Sequence, residues 1–232
     1  VWTKKKDEKL WKMAHARYIR SSSGGGHWEK LKKMEDSWSV KYKDLTFNLK
    51  PMGFKHTGLF PEQSVNWDYM IDKISKETKK GREINVLNLF AYTGGASVAC
   101  AYAGAKVCHV DSSQGMTNWA KENLISSGLK DRPVRFLVDD VIKFVKREIR
   151  RGNKYDCIIF ELIELCSKLL SDNPLFMIVN TYTGGLSGTI ISNVINYAIT
   201  DRKYNISFDE IGLKVKNKNL FLPCGITTIC EF

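Results

Sequence analysis

The sequence predicts an α/β protein with a mostly parallel sheet, an antiparallel edge near the C-terminus, and a small N-terminal helix plus β-hairpin extension. From residue 84 onward, short apolar runs alternate with helical patterns, which is typical of a parallel sheet covered on both faces. Residues 38–50 alternate apolar and polar side chains around a Lys-Asp turn, which indicates a hairpin. The last apolar runs, 206–215 and 220–230, follow one another without a helix and predict two adjacent strands.

Length and composition are those of a globular protein. The chain has 232 residues and a mass of 26.5 kDa, which suits one medium domain or one domain with a small appendage. Hydrophobic residues make up 43% and charged residues 26%, which excludes general disorder. We expect a basic N-terminal extension with the hairpin at 1–60, followed at 61–232 by the unit that holds the alternating elements.

Several classes of protein are disfavoured. No apolar run approaches the roughly 18 residues of a membrane span, and the first residues lack the apolar centre of a secretory signal. The six cysteines form no C-x-x-C pair and suit a reducing compartment, and the four histidines show no zinc spacing. We therefore expect a cytoplasmic protein without a membrane segment or a metal. Because the chain begins with Val1, we expect the natural N-terminus to lie upstream.

The positive charge is concentrated in the N-terminal third. Residues 1–80 hold 18 Lys and Arg against 10 Asp and Glu, whereas residues 81–232 hold 18 against 15. Aromatic residues lie among these charges, a pattern typical of surfaces that bind RNA through phosphates and unpaired bases. A basic soluble surface with its rings in the core is the other interpretation. The residues expected to contact phosphates are Lys4–Lys6, Arg17, Arg20, Lys30, Lys32 and Lys33.

The N-terminal extension contains weaker signals as well. An amphipathic pattern predicts a helix over 7–19, and the Ser- and Gly-rich residues 21–26 predict a flexible break. Residues 54–60 are a candidate strand, and 62–80 are predicted to be helical. The apolar face of the first helix would hold Leu10, Trp11, Ala14 and Tyr18.

The parallel sheet is predicted from five strand patterns and the helices between them. The strands are Ile84–Phe90, Val107–Val110, Val134–Val138, Tyr155–Phe160 and Leu175–Asn180. The helices are Ser97–Ala103, Met116–Ser127, Val141–Arg151, Glu161–Leu170 and Leu186–Thr200. Apolar runs of this kind suit strands that are buried on both faces.

Ligands of such sheets bind beyond the carboxyl ends of the strands, where three features stand out. Gly94 and Gly95 follow the first strand and let a ligand approach the backbone and the next helix N-terminus. Asp111 follows the second strand and can accept both ribose hydroxyls of an adenosine; Asp139 and Asp140 follow the third and can accept from an adenine amino group. An adenosine with little or no phosphate fits this set and indicates S-adenosylmethionine. The alternative is that these acids only cap the following helices.

A family resemblance rests on the same residues. Val86–Gly95 (VLNLFAYTGG) together with Val110–Ser113 (VDSS) resembles the class I S-adenosylmethionine-dependent methyltransferases. More narrowly, it is similar to the bacterial 23S ribosomal RNA (cytosine-C5) methyltransferases and their uncharacterised relatives. Thr57–Gln63 resembles the segment of that group that precedes the cofactor fold, and the likeness covers about residues 45–182. The RNA-binding PUA module that often precedes such enzymes is not recognisable.

The resemblance implies a Rossmann-like sheet and a set of cofactor residues. Gln63, Phe90, Ala91, Tyr92 and Gly94 would line the methionine part, with Phe60 at its border. Asp111, Ser112 and Met116 would hold the ribose and adenine, and Asp140 the adenine amino group. The full set expected to bind S-adenosylmethionine is Phe60, Gln63, Asn88, Phe90, Ala91, Tyr92, Thr93, Gly94, Gly95, Asp111, Ser112, Met116, Asp139 and Asp140.

The end of the fourth predicted strand departs from the pattern of the family. In many base methyltransferases this strand ends in an acidic or Asn residue followed by Pro-Pro and an aromatic residue, which hold the target base. Here Phe160 runs directly into Glu161 and a predicted helix, although strand–helix loops usually need about 2–6 residues. We hypothesise that residues are absent between Phe160 and Glu161. An intact mass matching 232 residues would contradict this.

The catalytic residue is left open between weak candidates. Methylation of cytosine C5 needs a thiolate that adds to the ring, but the stretch after the fifth strand contains no Cys. Cys224 stands in a loop-like setting, where a structural role is the alternative. Methylation of an exocyclic amine needs only geometry and hydrogen-bond acceptors, which Asn180 and Tyr182 could supply from the strand end, unless they serve the core or a turn.

The leading functional hypothesis is an S-adenosylmethionine-dependent methyltransferase that acts on a base of ribosomal RNA. One alternative is a methyltransferase for a small molecule or a protein. Another is a non-catalytic RNA-binding factor that retains the fold. A nicotinamide dehydrogenase ranks last because G-x-G-x-x-G is absent. The sequence does not predict the oligomeric state.

Overall fold

A computed structural model describes residues 8–22, 24–53, 55–160, 163–182, 185–216 and 219–232. The strands are β1 Ala16–Arg20, β2 Gly26–Lys30, β3 Trp38–Tyr42, β4 Leu45–Leu49, β5 Asn85–Leu89, β6 Lys106–Asp111, β7 Val134–Val138, β8 Cys157–Phe160, β9 Phe176–Thr181, β10 Asn205–Lys214 and β11 Phe221–Glu231. The helices are α1 Glu8–Met13, α2 Ser64–Thr78, α3 Gly95–Tyr102, α4 Gln114–Ser126, α5 Val141–Arg151, α6 Ile163–Ser167 and α7 Gly188–Ala198, with a 3-10 turn at Pro61–Gln63. Within these described ranges, no helix has both the length and the apolar character needed to cross a membrane.

The central sheet has seven strands in the order β10-β11-β9-β8-β5-β6-β7. Strands β5 to β9 pair in parallel, and β11 runs antiparallel to both of its neighbours. This confirms the predicted fold class, with the reversed strand one position inside the edge. The chain leaves β5 toward β6 on one side and later returns to β8 on the other. The order therefore reverses beside β5, where ligands of such sheets bind.

Helices cover both faces of the sheet, which explains the near-continuous apolar runs of its strands. In β8, Ile158 and Phe160 point into a core shared with α5, α6 and α7. Cys157 and Ile159 point into the opposite core, shared with α2 and α3. Because successive side chains of a strand face opposite ways, each of these strands supplies both cores and fixes its own register.

The β3–β4 hairpin forms as predicted, and Lys43 at its turn has the positive φ of 51° that a tight hairpin requires. Its inner side chains belong to the main core. Leu45 and Phe47 are fully buried, and the Phe47 ring lies 5.0 Å from the Trp67 ring on α2. The hairpin therefore anchors the N-terminal part to the sheet. The division of the chain at residue 60 stays a prediction.

The predicted helix over 7–19 is wrong in its second half. Helix α1 ends at Met13, and β1 then pairs with β2 to form a second hairpin. The reason is tertiary: Tyr18 in β1 stands opposite Trp28 in β2, with their rings edge-to-face at 5.5 Å. Within the predicted flexible break, residues 21, 22, 24 and 25 belong to the turn of this hairpin, Gly26 begins β2, and residue 23 lies outside the described residues. Residue 7, the start of the predicted helix, lies outside the described residues.

The candidate strand at 54–60 is also wrong over its described residues. Residues 55–60 contain no strand. The Met52 N–H donates to the His56 carbonyl at 3.3 Å, and Gly58 has a φ of 99°, so the chain turns instead of extending. Residue 54 lies outside the described residues, as do Glu161 and Leu162 between β8 and α6. The hypothesis of missing residues after Phe160 stays a prediction.

Gly58→Ala should destabilise the protein by about 3 kcal/mol, from left-handed strain plus overpacking. An added Cβ at Gly58 would lie 2.3 Å from the buried Trp119 ring, whose N–H is held by the Asn48 carbonyl. Gly81→Ala is the matched control, because Gly81 also has a positive φ but open space around it. It should cost only about 1 kcal/mol. Urea unfolding of both variants measures the difference, and equal losses would contradict the steric argument.

Candidate functional site

A cavity of about 330 Å³ lies at the carboxyl ends of β5, β8 and β9, where the strand order reverses. Its wall combines these strand ends with the start of α2 and the loop between β5 and α3. Many residues predicted to bind the cofactor line it, namely Phe60, Gln63, Asn88, Phe90, Ala91, Tyr92, Thr93 and Gly95. The catalytic candidates Asn180 and Tyr182 line it as well.

The loop after β5 has a strained backbone. Phe90 and Tyr92 have φ values of 53° and 51°, in the left-handed region that bulky residues rarely adopt. Such strain persists only where the surroundings fix it, and it clusters at functional sites. Here the Ala91 N–H donates to the Val110 carbonyl at 3.1 Å, which ties the loop to β6. Gly94 has a φ of 80°, and an added Cβ would lie 2.8 Å from the Ala120 side chain, so only glycine fits there.

Asp111 stands at the end of β6 and holds two loops together. Its Oδ2 accepts from the Tyr92 N–H at 2.8 Å, and its Oδ1 accepts from the Ser113 N–H at 2.8 Å. Each carboxylate oxygen keeps a further lone pair, so the half-buried group can still accept two hydroxyls. A ribose has that pair of hydroxyls, and the residue fits its predicted role.

The two acids after β7 have partners within the protein. Asp140 caps α5 by accepting from the Lys143 N–H at 2.8 Å. Asp139 forms an ion pair with Arg147, and its N–H donates to the Asp111 carbonyl at 3.0 Å. The capping interpretation is therefore present in the structure, and contact of either acid with adenine stays a prediction.

The other predicted residues near the ribose lie at the start of α4. Ser112 is exposed and Met116 is half-buried, and Ser113 caps the helix by accepting from the Met116 N–H at 3.3 Å. Both residues lie close to Asp111 because α4 begins directly after β6. Neither lines the cavity described above, and their contact with a cofactor stays a prediction.

A hydrogen-bond network forms the wall of the cavity opposite the β5 loop. Asn66 donates to Gln63 Oε1 at 2.9 Å and to Asn180 Oδ1 at 3.0 Å, and accepts from the Thr227 hydroxyl at 3.1 Å. Gln63 in turn donates to the Tyr182 hydroxyl at 2.5 Å. Asn66 is 2% exposed, so this network fixes the polar wall in one arrangement.

Asn66 is a residue of the cavity wall that was not predicted from the sequence. A signal was available, because Asn66, Met70 and Ile74 follow one another at four-residue spacing on the buried face of α2. A polar amide in an apolar row of this kind needs buried partners. Those partners come from β9 and β11, and their positions depend on the folded sheet.

Aromatic rings surround the mouth of the cavity. The Phe60 ring lies 5.3 Å from the Tyr92 ring, 5.7 Å from the Tyr182 ring and 5.3 Å from the His56 ring. Phe90 is 47% exposed at the same opening. Ring faces attract cations, so the opening suits a positively charged sulfonium. Asp111 is not among the described residues that line this cavity, so its contact with the same ligand stays a prediction.

Comparison with known proteins agrees with this geometry. A sequence profile described as "S-adenosylmethionine-dependent methyltransferase" matches residues 2–170. The chain belongs to the S-adenosylmethionine-dependent methyltransferase family. Its cofactor is S-adenosylmethionine, as the sequence predicts. The narrower likeness to the cytosine-C5 group stays a prediction.

The curated relatives of this family member are much longer than the chain. It is 34% identical over 139 residues to the ribosomal RNA large subunit methyltransferase K/L of Shewanella frigidimarina, covering 60% of this chain and 18% of that protein. It is 28% identical over 199 residues to the protein of the same name from Colwellia psychrerythraea, covering 82% of this chain and 26% of that one. The chain therefore matches about a quarter or less of these relatives.

A solved structure matches over nearly the whole chain. It is the S-adenosylmethionine-dependent methyltransferase from Agrobacterium tumefaciens, which is 27% identical. The superposition has a TM-score of 0.89 and covers 97% of this chain and 79% of the other. The similarity thus includes the N-terminal hairpins as well as the sheet.

Cys224 does not lie in the loop that the sequence predicts. It is the extra residue of a β-bulge in β11, because Ile211 pairs with Gly225 and Gly212 with Pro223. Its thiol donates to the Leu222 carbonyl at 3.5 Å, and burial raises its pKa, so the protonated thiol is favoured. Cys224 is not among the described residues that line the cavity. These facts favour the structural role.

His109 lies beneath the strained loop, fully buried in β6. Its Nδ1 lies 3.0 Å from the Ser97 hydroxyl, which accepts from Asn88 Nδ2 at 2.9 Å, and its Nε2 has no hydrogen-bond partner among the described residues. Burial and the charge of Lys121 lower the pKa of His109 from 6.5 to about 4. The imidazole is therefore neutral in the folded protein near pH 7.

His109 should make the folded state sensitive to acid. The folded-state pKa lies below the unfolded one, so the unfolded state binds the extra proton and the free energy of unfolding falls as pH drops from 6.5 toward 4. The contribution is about 3 kcal/mol. Urea unfolding over this pH range should show a shallower acid dependence for His109→Asn than for the wild type. Equal slopes would contradict the pKa shift.

Proposed function

We propose that the chain is a cytoplasmic methyltransferase that transfers the methyl group of S-adenosylmethionine to a base of ribosomal RNA. The observation that carries this proposal is the cavity at the strand-order reversal, with the strained Phe90–Tyr92 loop on one wall and the Asn180 network on the other. One wall has the chemistry of a cofactor site. The other presents fixed polar groups to a second molecule at the same opening.

In this proposal Asp111 and the β5 loop bind the cofactor. The Asp111 carboxylate would accept the ribose hydroxyls while it keeps the Tyr92 N–H in place. The backbone at the start of α3 would approach the methionine end, since Gly95 lines the cavity and carries no side chain. When bound, the cofactor supplies an electrophilic methyl group. The protein orients it and excludes water.

The opposite wall suits an amine acceptor better than a ring carbon. Asn180 and Tyr182 present an amide and a hydroxyl, each held in place by the Asn66–Gln63 pair. Among the described residues that line the cavity there is no cysteine, and ring-carbon methylation needs a thiolate. A flat base could stack on the exposed rings at the mouth after leaving its own stack. We therefore favour an exocyclic amino group as the methylated site.

RNA as the substrate is supported by the N-terminal charge and by the relatives. Of the basic residues of the N-terminal third, Arg17, Arg20 and Lys30 lie on the β1–β2 hairpin. The K/L relatives carry ribosomal RNA in their names. A substrate found in the cytoplasm places the enzyme there. In this proposal residues 1–60 serve RNA and residues 61–232 serve the cofactor.

Label transfer tests the proposal directly. The protein is incubated with labelled S-adenosylmethionine and ribosomal RNA that lacks its native modifications, and nucleosides are then identified by mass spectrometry. We expect a labelled N-methyl nucleoside. Labelled 5-methylcytidine would refute the amine assignment. No label in RNA despite cofactor binding would favour a small-molecule or protein acceptor, or a binding factor without chemistry.

Asp111→Asn should weaken cofactor binding by about 10- to 100-fold, because an NH2 group replaces one carboxylate oxygen and cannot accept a hydrogen bond. Asp131→Asn is the matched control, since Asp131 is an exposed acid in the turn before β7, whereas Asp111 holds the β5 loop. Calorimetric titration with S-adenosylhomocysteine gives both affinities, and thermal melts check that each variant is folded. An unchanged affinity for Asp111→Asn would remove this residue from the cofactor site.

A further inference from the structure

A second cavity, of about 500 Å³, lies between the turn of the β1–β2 hairpin and the segment around residues 55–56. We call it the hairpin pocket. Two of its described lining residues, Arg20 and Lys55, are positively charged, and no described lining residue is acidic. The lining residues are Tyr18, Arg20, Ser21, Ser22, Gly24, Gly25, Lys55 and His56. Its charge therefore favours an anion.

The structure separates the cations of the hairpin into two groups. Arg17 forms an ion pair with Glu29, and Lys30 pairs with Asp36 at 2.7 Å. Arg20 and Lys55 are exposed, and within the described parts of the chain neither has a carboxylate partner. The charges of Arg17 and Lys30 are neutralised by these carboxylates. The charges of Arg20 and Lys55 could be neutralised by a bound anion. Lys4–Lys6 lie outside the described residues.

The floor of the hairpin pocket is backbone. Gly24 and Gly25 follow one another with φ values of 89° and 74°, and a Cβ at either would meet open space. Consecutive residues in such a turn leave backbone N–H groups accessible to an anion without an intervening side chain. Ser21 and Ser22 border the same space, where the Ser21 hydroxyl already donates to the Gly24 carbonyl and leaves Ser22 beside the backbone N–H groups. These groups suit the oxygens of a phosphate.

The hairpin pocket is joined to the methyl-transfer cavity by direct contacts. The Trp28 indole N–H donates to the Met52 carbonyl at 2.9 Å, and the Tyr92 hydroxyl donates to the Met52 sulfur at 3.2 Å. His56, on the wall of the pocket, packs on Phe60, which lines the cavity. A single aromatic pair therefore separates the two spaces.

We propose that the hairpin pocket binds a backbone phosphate of the RNA next to the nucleotide that is methylated. This inference rests on the proposed function and adds the position of the strand to it. Phosphate contacts fix the register and orientation of a nucleic acid without reading its sequence. With the phosphate held by Arg20, Lys55 and the glycine turn, the neighbouring base would lie at the opening beside Phe60.

Charge-neutral variants test the assignment. Arg20→Gln and Lys55→Gln should each weaken binding of a single-stranded ribosomal RNA fragment roughly tenfold. Each should also flatten the plot of log affinity against log salt by about 0.7 between about 50 and 200 mM salt. The matched controls are Arg17→Gln and Lys30→Gln, which remove the same charge from the hairpin that carries Arg20. Fluorescence anisotropy measures all four, with thermal melts as the check on folding.

The outcomes separate the inference from the function on which it rests. If the controls lose as much affinity as the pocket variants, the effect is general electrostatics and the pocket assignment is overturned. If the wild type methylates RNA and the pocket variants bind it normally, the inference fails and the proposed function stands. If the wild type neither binds nor methylates RNA, both fail. Affinity for S-adenosylhomocysteine should stay unchanged in all variants.

A neutral linkage in the RNA gives a second, sharper measurement. A series of RNA fragments carries one methylphosphonate each, which replaces a different phosphate by a neutral linkage. Replacement of the phosphate beside the methylated nucleotide should weaken wild-type binding about tenfold. It should cause a smaller loss with Lys55→Gln than with the wild type, because one of the two charged partners of that phosphate is already absent. Free phosphate is the other source of the same chemistry. If inorganic phosphate binds in a Lys55-dependent manner and no linkage matters, the pocket serves a free anion and the proposal is overturned.

Discussion

The rest of the site depends on one hydrogen bond, from the Tyr92 N–H to the Asp111 carboxylate. Tyr92 has a backbone conformation that costs of order 1–3 kcal/mol on its own, and it is kept there by a charged acceptor at the end of the neighbouring strand. The same carboxylate aligns the start of α4 through Ser113. One side chain thus sets the curvature of the β5 loop, the entry of the next helix, and the floor on which a ribose would rest.

Much of the fold follows from local pattern, because β5 to β9 are apolar on both faces and their helices alternate regularly. Part of the predicted cofactor set, including Phe90 and Tyr92, lines the cavity, since these residues follow a strand end at the reversal of strand order. Contact of the set with the cofactor stays a prediction. The opposite half of the site does not follow from local pattern. Asn66 reaches Thr227, which is 161 residues away, and only the folded sheet shows that they meet. Tyr18 likewise lies in a strand and not in the predicted helix, because its ring packs against Trp28 across the hairpin turn. The helical pattern of the local sequence does not show this contact.

The two halves of the cavity therefore have different physical origins. The wall that we propose for the cofactor is built within residues 88–96, from β5 to the start of α3, where chain neighbours also lie close in space. The acceptor wall is assembled from α2, β9 and β11. The last two are neighbours because they pair antiparallel in the sheet. Changes far along the chain can reshape the acceptor wall and leave the cofactor wall intact. This separation is consistent with folds that host many acceptors for one cofactor.

The contact between Tyr92 and Met52 has a mechanical consequence. A thioether sulfur is a weak acceptor on a side chain with several rotatable bonds, so this contact is easily stretched and easily re-formed. The hairpin is fixed to the Met52 carbonyl by a stronger indole bond. Displacement of the hairpin would thus be absorbed at the sulfur before it reached the strained loop. The flexible Met52 side chain would therefore let the β1–β2 hairpin shift while the Phe90–Tyr92 loop keeps its backbone geometry.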